Sequence, residues 1–133
     1  MKRILSRIAI LTFLIATFSL TAFADANFDQ PVITQNGHYQ IEGNWSELKR
    51  GWCKLILKIS NQEQQPVVGA QVAVAYDMAD MPMSPPNKPV LDKGDGTYEK
   101  QVFLGMRGTW QFDITVNDNT NTDTLTLQQK VVQ

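Results

Sequence analysis

Met78, Met81 and Met83, three methionines within six residues, are the side chains of this sequence best suited to chemistry. A thioether is soft, uncharged and a ligand at any pH, so it suits Cu(I) better than Zn(II) or Mg(II). Pro82, Pro85 and Pro86 stiffen the same segment and lower the entropy lost when sulfurs converge on one ion. Met106 adds a further sulfur if its turn meets the same end of the fold, and Trp110 then covers the ion through a cation–π contact. On this reading Met81 and Met83 are primary ligands and Met78 and Met106 supporting ones, with Asp77 and Asp80 adding negative potential at the entrance. A second reading needs no metal. Methionine is an adaptable packing residue. Met78 falls on the inner face of its own strand, and Met81 and Met83 then pack against Trp110 as a loop plug. Residue types alone leave both readings open.

Little else offers a reactive constellation. The 133 residues hold one Cys and one His, which excludes an intrachain disulfide, a multi-thiolate zinc site and histidine-rich metal sites. Cys53 is in phase with Leu55, Leu57 and Ile59 and is expected in the core, although an odd Cys in an oxidising compartment also suits a ligand or an intermolecular bond. His38 reads as a turn residue; recruiting it to copper requires its turn to fold over the methionines. Asp77 and Asp80 read as solvated carboxylates rather than an acid–base pair. Ser84 has no imidazole but His38 to activate it. Gly94-Asp95-Gly96 reads as a hairpin turn and not a phosphate cradle. The chain is not expected to be an enzyme.

Charge narrows the partners. Three of the 12 Lys and Arg, namely Lys2, Arg3 and Arg7, lie within the first 24 residues, and all 13 Asp and Glu lie beyond them. The remainder is mildly acidic, so nucleic acid is not an expected partner. Trp45 and Trp52, flanking Glu47, Lys49 and Arg50, suit either a partial core or the rim of a contact with an envelope or membrane protein.

The first residues have the grammar of an export signal. Lys2, Arg3 and Arg7 precede an apolar run over residues 8–20, and Ala22-Phe23-Ala24 places small residues where a signal peptidase cuts. Cleavage after Ala24 and delivery to a bacterial periplasm are expected. The alternative is a retained membrane anchor, since residues 8–24 are near the minimum length for a span.

The elements that must position the methionines are strands. Alternation with period two recurs through Cys53, Leu55, Leu57 and Ile59; through Val72, Val74, Tyr76 and Met78; through Tyr98, Val102 and Leu104, with Lys100 between; and through Trp110, Phe112, Ile114 and Val116. Leu125, Leu127 and Val131 mark a last strand, and weaker candidates lie near Val32, Tyr39 and Val90. Polar or glycine-containing turns separate these runs about every ten residues, which predicts an all-β, immunoglobulin-like antiparallel sandwich of about seven strands. The expected organisation is a signal peptide over residues 1–24, a loose arm over 25–36 and one sandwich domain over 37–133.

Four motifs occur in order over residues 52–116: Pro66-Val67-Val68-Gly69-Ala70-Gln71-Val72, Met78-Ala79-Asp80-Met81-Pro82-Met83, Gly94-Asp95-Gly96-Thr97-Tyr98, and Leu104-Gly105-Met106-Arg107-Gly108-Thr109-Trp110. Together they resemble the YtkA-like and FixH-like exported domains. The resemblance implies an immunoglobulin-like sandwich associated with copper handling or with assembly of membrane cytochrome oxidases. Members often carry His after the M-P-x-M segment; here Ser84-Pro85-Pro86-Asn87-Lys88 stands in its place. The resulting expectation is a periplasmic accessory protein that binds or delivers Cu(I). The alternative is a metal-free interaction module of the cell envelope.

Overall fold

Eight strands carry the alternating patterns: β1 (Val32–Ile33), β2 (Tyr39–Trp45), β3 (Gly51–Asn61), β4 (Gln71–Met78), β5 (Leu91–Asp92), β6 (Thr97–Leu104), β7 (Gly108–Asn117) and β8 (Thr122–Val131). They are seen in a computed structural model that describes residues 30–132. The expected signal peptide and the start of the arm lie outside the described residues.

Side chains alternate across a strand, so each strand with one apolar face must bury it against a second layer. The strands form an antiparallel sheet of order β1-β2-β3-β6-β5 and a second of order β4-β7-β8. The orders β2-β3-β6-β5 and β4-β7-β8 are those of an immunoglobulin constant-type sandwich, with β1 added at one edge. The inner faces meet over Leu55, Leu57, Tyr98, Val102, Phe112, Ile114 and Val116, all essentially excluded from solvent. Full burial of such side chains stabilises by roughly 1.5–3 kcal/mol each.

The register separates the two ends of the sandwich. Gly51 faces Leu104 in the large sheet, while Met78 faces Trp110 and Gly108 faces Val131 in the small one. This end therefore gathers the β2–β3 loop, the β6–β7 loop and the segment after β4. It is called the methionine end below. At the far end lie the β1–β2, β5–β6 and β7–β8 turns.

Both ends are tied across the sheets. At the methionine end the Trp45 ring packs edge-on against Phe112 with centroids 5.7 Å apart, and its indole N–H donates to Gln129 at 3.1 Å. At the far end Asp123, buried at the start of β8, accepts from Thr34 Oγ1 at 2.6 Å, the Asn36 amide at 3.0 Å and the His38 amide at 3.1 Å. Residues 32–36, expected within a loose arm, are thus partly a strand and partly a docked turn.

The β5–β6 turn is as expected, and close packing shows why it needs glycine. Gly96 has φ of 91°, and a Cβ there would sit 2.6 Å from the Cβ of Pro66. A side chain meets both a strained backbone and a clash.

Candidate functional site

The chain after β4 crosses from the small sheet to the large one, over the open edge between β4 and β5. Residues 79–90 form this strap, and side chains from both sheets hold it. Asp77, half-buried at the end of β4, turns its carboxylate onto the strap and accepts from the amides of Met78 at 2.8 Å, Met83 at 2.7 Å and Ser84 at 3.3 Å. The Met83 N–H chiefly holds this carboxyl below its ordinary 3.8. Tyr76 then donates its hydroxyl to the Pro86 carbonyl at 2.7 Å and accepts from the Phe103 amide at 2.7 Å, so it joins β4, strap and β6. Lys100 on β6 donates its ammonium to the Asn87 side chain and the Lys88 carbonyl. Burial lowers the Lys100 pKa from 10.5. The strap is a preorganised support, with side-chain ties at Met83, Ser84, Pro86, Asn87 and Lys88.

Met81 and Met83 ride on it with 52% and 42% of their surfaces in water. Met106 is 40% exposed in the β6–β7 loop at the same end, and the indole N–H of Trp110 donates to its carbonyl at 3.0 Å. The structure therefore brings the turns of Met81, Met83 and Met106 to one end of the sandwich. Met78 and Trp110 lie beneath them. Met78 is 9% exposed with its terminal methyl against Gly108, where an added Cβ would meet it at 2.6 Å. Trp110 is 1% exposed and reaches the Met106 loop through its hydrogen bond. A shallow depression beside the Asp77 end of β4 is lined by Tyr76, Asp77, Met78, Ala79, Gln111 and Asp113.

Other sequence candidates fall elsewhere. His38 sits in the β1–β2 turn at the far end, so it approaches neither the methionines nor Ser84. Asp77 spends its carboxylate on backbone amides, leaving Asp80 as the exposed acid on the strap. Cys53 is buried and donates its thiol to the Lys49 carbonyl at 3.0 Å, bracing the β2–β3 loop. Trp52 is half-exposed on the outer face of the large sheet, against Phe103 with centroids 5.2 Å apart and with the Lys88 ammonium 4.5 Å from its ring centre. Among the described residues no group of three or more His, Cys, Asp or Glu could hold a metal ion. A thioether set is outside that description.

Sequence reasoning overlooked Lys100 and Asp123 as organisers. Each is in phase with buried apolar neighbours: Lys100 with Tyr98 and Val102, Asp123 with Leu125 and Leu127. A charge on the inner face of a strand must find partners, since leaving it unpaired there is costly.

No curated protein matches the chain in sequence. A solved structure similar to it is the GAE domain of GGA2p from Saccharomyces cerevisiae, at 13% identity, covering 77% of this chain and 98% of that one, with a TM-score of 0.44. The YtkA-like family model matches residues 39–115, from the first residue of β2 into β7, and so takes in the strap, the Gly94–Gly96 turn and the segment from Met106 to Trp110. The chain belongs to the YtkA-like family.

Proposed function

We propose that this protein is an exported, non-enzymatic accessory protein of the periplasm that binds Cu(I) and hands it on. Met81 and Met83 are the primary ligands, Met106 supports them, and Met78 and Trp110 form the floor. One observation carries the reading: two thioethers stand half in water on a strap that five side-chain hydrogen bonds already hold. A packing role would favour burial of both side chains, whereas an accessible soft ligand set suits a cargo that must leave again. Preorganisation lowers the ordering cost of binding.

The test is anaerobic titration of the purified protein with Cu(I) against a colorimetric chelator. Stoichiometric competition is expected, with loss in the Met81→Leu, Met83→Leu double variant. Equal copper affinity in that variant defeats the reading.

A metal-free interaction module is the competing reading, favoured by the half-exposed Trp52–Phe103 pair on the outer sheet face. Such a module loses its envelope partner on Trp52→Ala and is indifferent to copper.

A further inference from the structure

Four strands stand at the sheet edges. β1 and β5 have two residues each, too few to template another chain. β8 is longer, but its Thr124 carbonyl already takes the Gln35 amide at 2.9 Å. β4 is open over most of its length. The Ala79 amide donates to the Thr109 carbonyl at 2.9 Å, and antiparallel partners bond in alternate pairs, so Ala73 and Ala75 bond β7. Val72 and Val74 therefore aim their N–H and C=O groups away from β7, and no group among the described residues bonds them there. Neither proline nor charge guards this edge from Gln71 to Tyr76.

The strap ties to β4 at Tyr76 and stands off from the strand below it, leaving a groove of about 500 Å³. One wall is β4 from Gln71 to Ala75; the other is the strap from Asn87 to Val90. Lys100, reaching out from between the sheets, lines it as well.

Charge selects the occupant. Lys88 and Lys100 line the groove, and no Asp or Glu does. Lys88 turns its ammonium onto the Trp52 ring. Lys100 bonds only neutral oxygens, those of the Asn87 side chain and the Lys88 carbonyl, so its third N–H meets no oxygen among the described residues. Burial lowers its pKa, and no carboxylate offsets that shift. The surrounding acids are engaged elsewhere. Glu99 lies 3.7 Å from both Lys54 and Lys93, Asp77 holds strap amides, and Asp113 accepts from Thr126 at 2.8 Å. Folding has already desolvated Lys100, so a carboxylate brought to it meets strong attraction in a low local dielectric. Main-chain bonds of an added strand supply affinity, and its side chains supply specificity.

The geometry points to this groove as the docking site for an extended, acidic segment of a partner protein, which adds to β4 as a strand at Val72 and Val74 and brings a carboxylate to Lys100. The site uses no methionine and goes beyond the copper reading.

The probe is a set of blocked seven-residue peptides of alternating Thr and Val, with a single Glu or Gln at each position in turn. Amide exchange followed by NMR on the purified chain reads where they bind. Glu peptides in the matching register are expected to slow exchange at Val72 and Val74 severalfold, and to bind about tenfold tighter than their Gln counterparts. Lys100→Met should erase the preference for Glu. Val72→Pro removes one edge N–H and leaves Val74, Tyr76 and Met78 in the core. It should weaken every peptide while the thermal unfolding of the free chain stays close to native. Equal binding of Glu and Gln peptides overturns the proposal, as does protection confined to Thr126 and Gln128 on β8. Absence of protection at Val72 and Val74 in every register overturns it too. Slowing that tracks protein concentration without peptide also overturns it and assigns the edge to a second copy of the chain. The peptides carry no sulfur and the experiment no metal, so these outcomes are separate from those of the copper titration.

Discussion

The ammonium of Lys100 reaches out of the sandwich interior, between the two sheets, to the main-chain carbonyl of Lys88. Lys100 is only 2% exposed, and the Tyr76 ring centre lies 5.8 Å from its nitrogen. The edge between β4 and β5 is where an immunoglobulin-like sandwich is open. Here a buried cation and a buried phenol close it by gripping the strap, and the same grip holds the methionines in place. Fold stability and the placement of the methionines therefore depend on the same residues at this edge.

Lys100→Met keeps the apolar stem and removes the charge, leaving the Lys88 carbonyl and Asn87 side chain without their donor. Limited proteolysis should cut the strap of this variant faster than that of the native chain. The pH dependence has a definite sign. The folded-state pKa lies below the ordinary 10.5, so between the two values the unfolded chain binds the proton and the folded chain does not. Native stability from this group thus rises with pH as it climbs through the folded pKa toward 10.5. Denaturation of native and variant protein at rising alkaline pH should show that increment in the native chain alone.

Tyr76→Phe deletes one oxygen that serves both the Pro86 carbonyl and the Phe103 amide. Its ring stays stacked on Phe112, with centroids 5.6 Å apart and planes 7° from parallel. The expected loss is about 1–3 kcal/mol, because the lost bonds leave part-buried backbone groups unmet. Urea unfolding measures it, and an unchanged midpoint would falsify the assignment of Tyr76 as the tie between strap and β6.

Asp77→Ala tests the strap without touching a sulfur. Asp77 is half-buried, and the amides of Met83 and Ser84 that it pins belong to the exposed strap rather than the core, so its removal should change thermal unfolding little. Cu(I) affinity should fall roughly 3–10-fold if ordering of the loop is part of the binding free energy. Acid acts in the same way. The carboxyl ionises below its ordinary 3.8, so its hold on the strap is present above that value and is lost as pH falls through the lower, folded-state pKa.

Asp123→Ala should be the most damaging single change at the far end. Its carboxylate serves Thr34, Asn36, His38 and Thr124. Burial opposes its ionisation, and these hydrogen bonds outweigh burial, so its pKa falls below 3.8. A loss on the order of 2–4 kcal/mol is expected in chemical denaturation. The difference between native and variant should shrink as pH falls below the ordinary 3.8, where the unfolded chain takes up the proton, and be lost once pH passes the lower folded-state pKa, where the native carboxylate does so too. Tyr39, beside it, is pushed up to about 12 by burial and then by Asp118, so it stays neutral across this range.

Local sequence was enough for the strands and much of the core. The alternation of Trp110, Phe112, Ile114 and Val116 states both a strand and its buried face, because a period of two is a backbone property that needs no partner. Gly94-Asp95-Gly96 announced its turn for a similar local reason, the positive φ that glycine accepts. The four ordered motifs were legible too, and of the two groups they resemble, the YtkA-like family is the one the chain belongs to. Of the candidate site, the sequence supplied the thioethers and their stiff, proline-bearing segment.

Only the tertiary structure decided which of those thioethers face water. Met78 shares a strand phase with Tyr76 and is buried, whereas Met81 and Met83 lie past the end of the sheet, where no alternation applies. It also placed Met106 at their end and His38 at the opposite one. Lys100 and Asp123 show the limit most clearly. Their phase says that they point inward, but what they meet is set by chain 12 or 13 residues away for Lys100 and 85 to 89 residues away for Asp123. A hydrogen bond across that separation exists only once two sheets have packed. Strand character is a short-range consequence of covalent geometry; the site belongs to the packing.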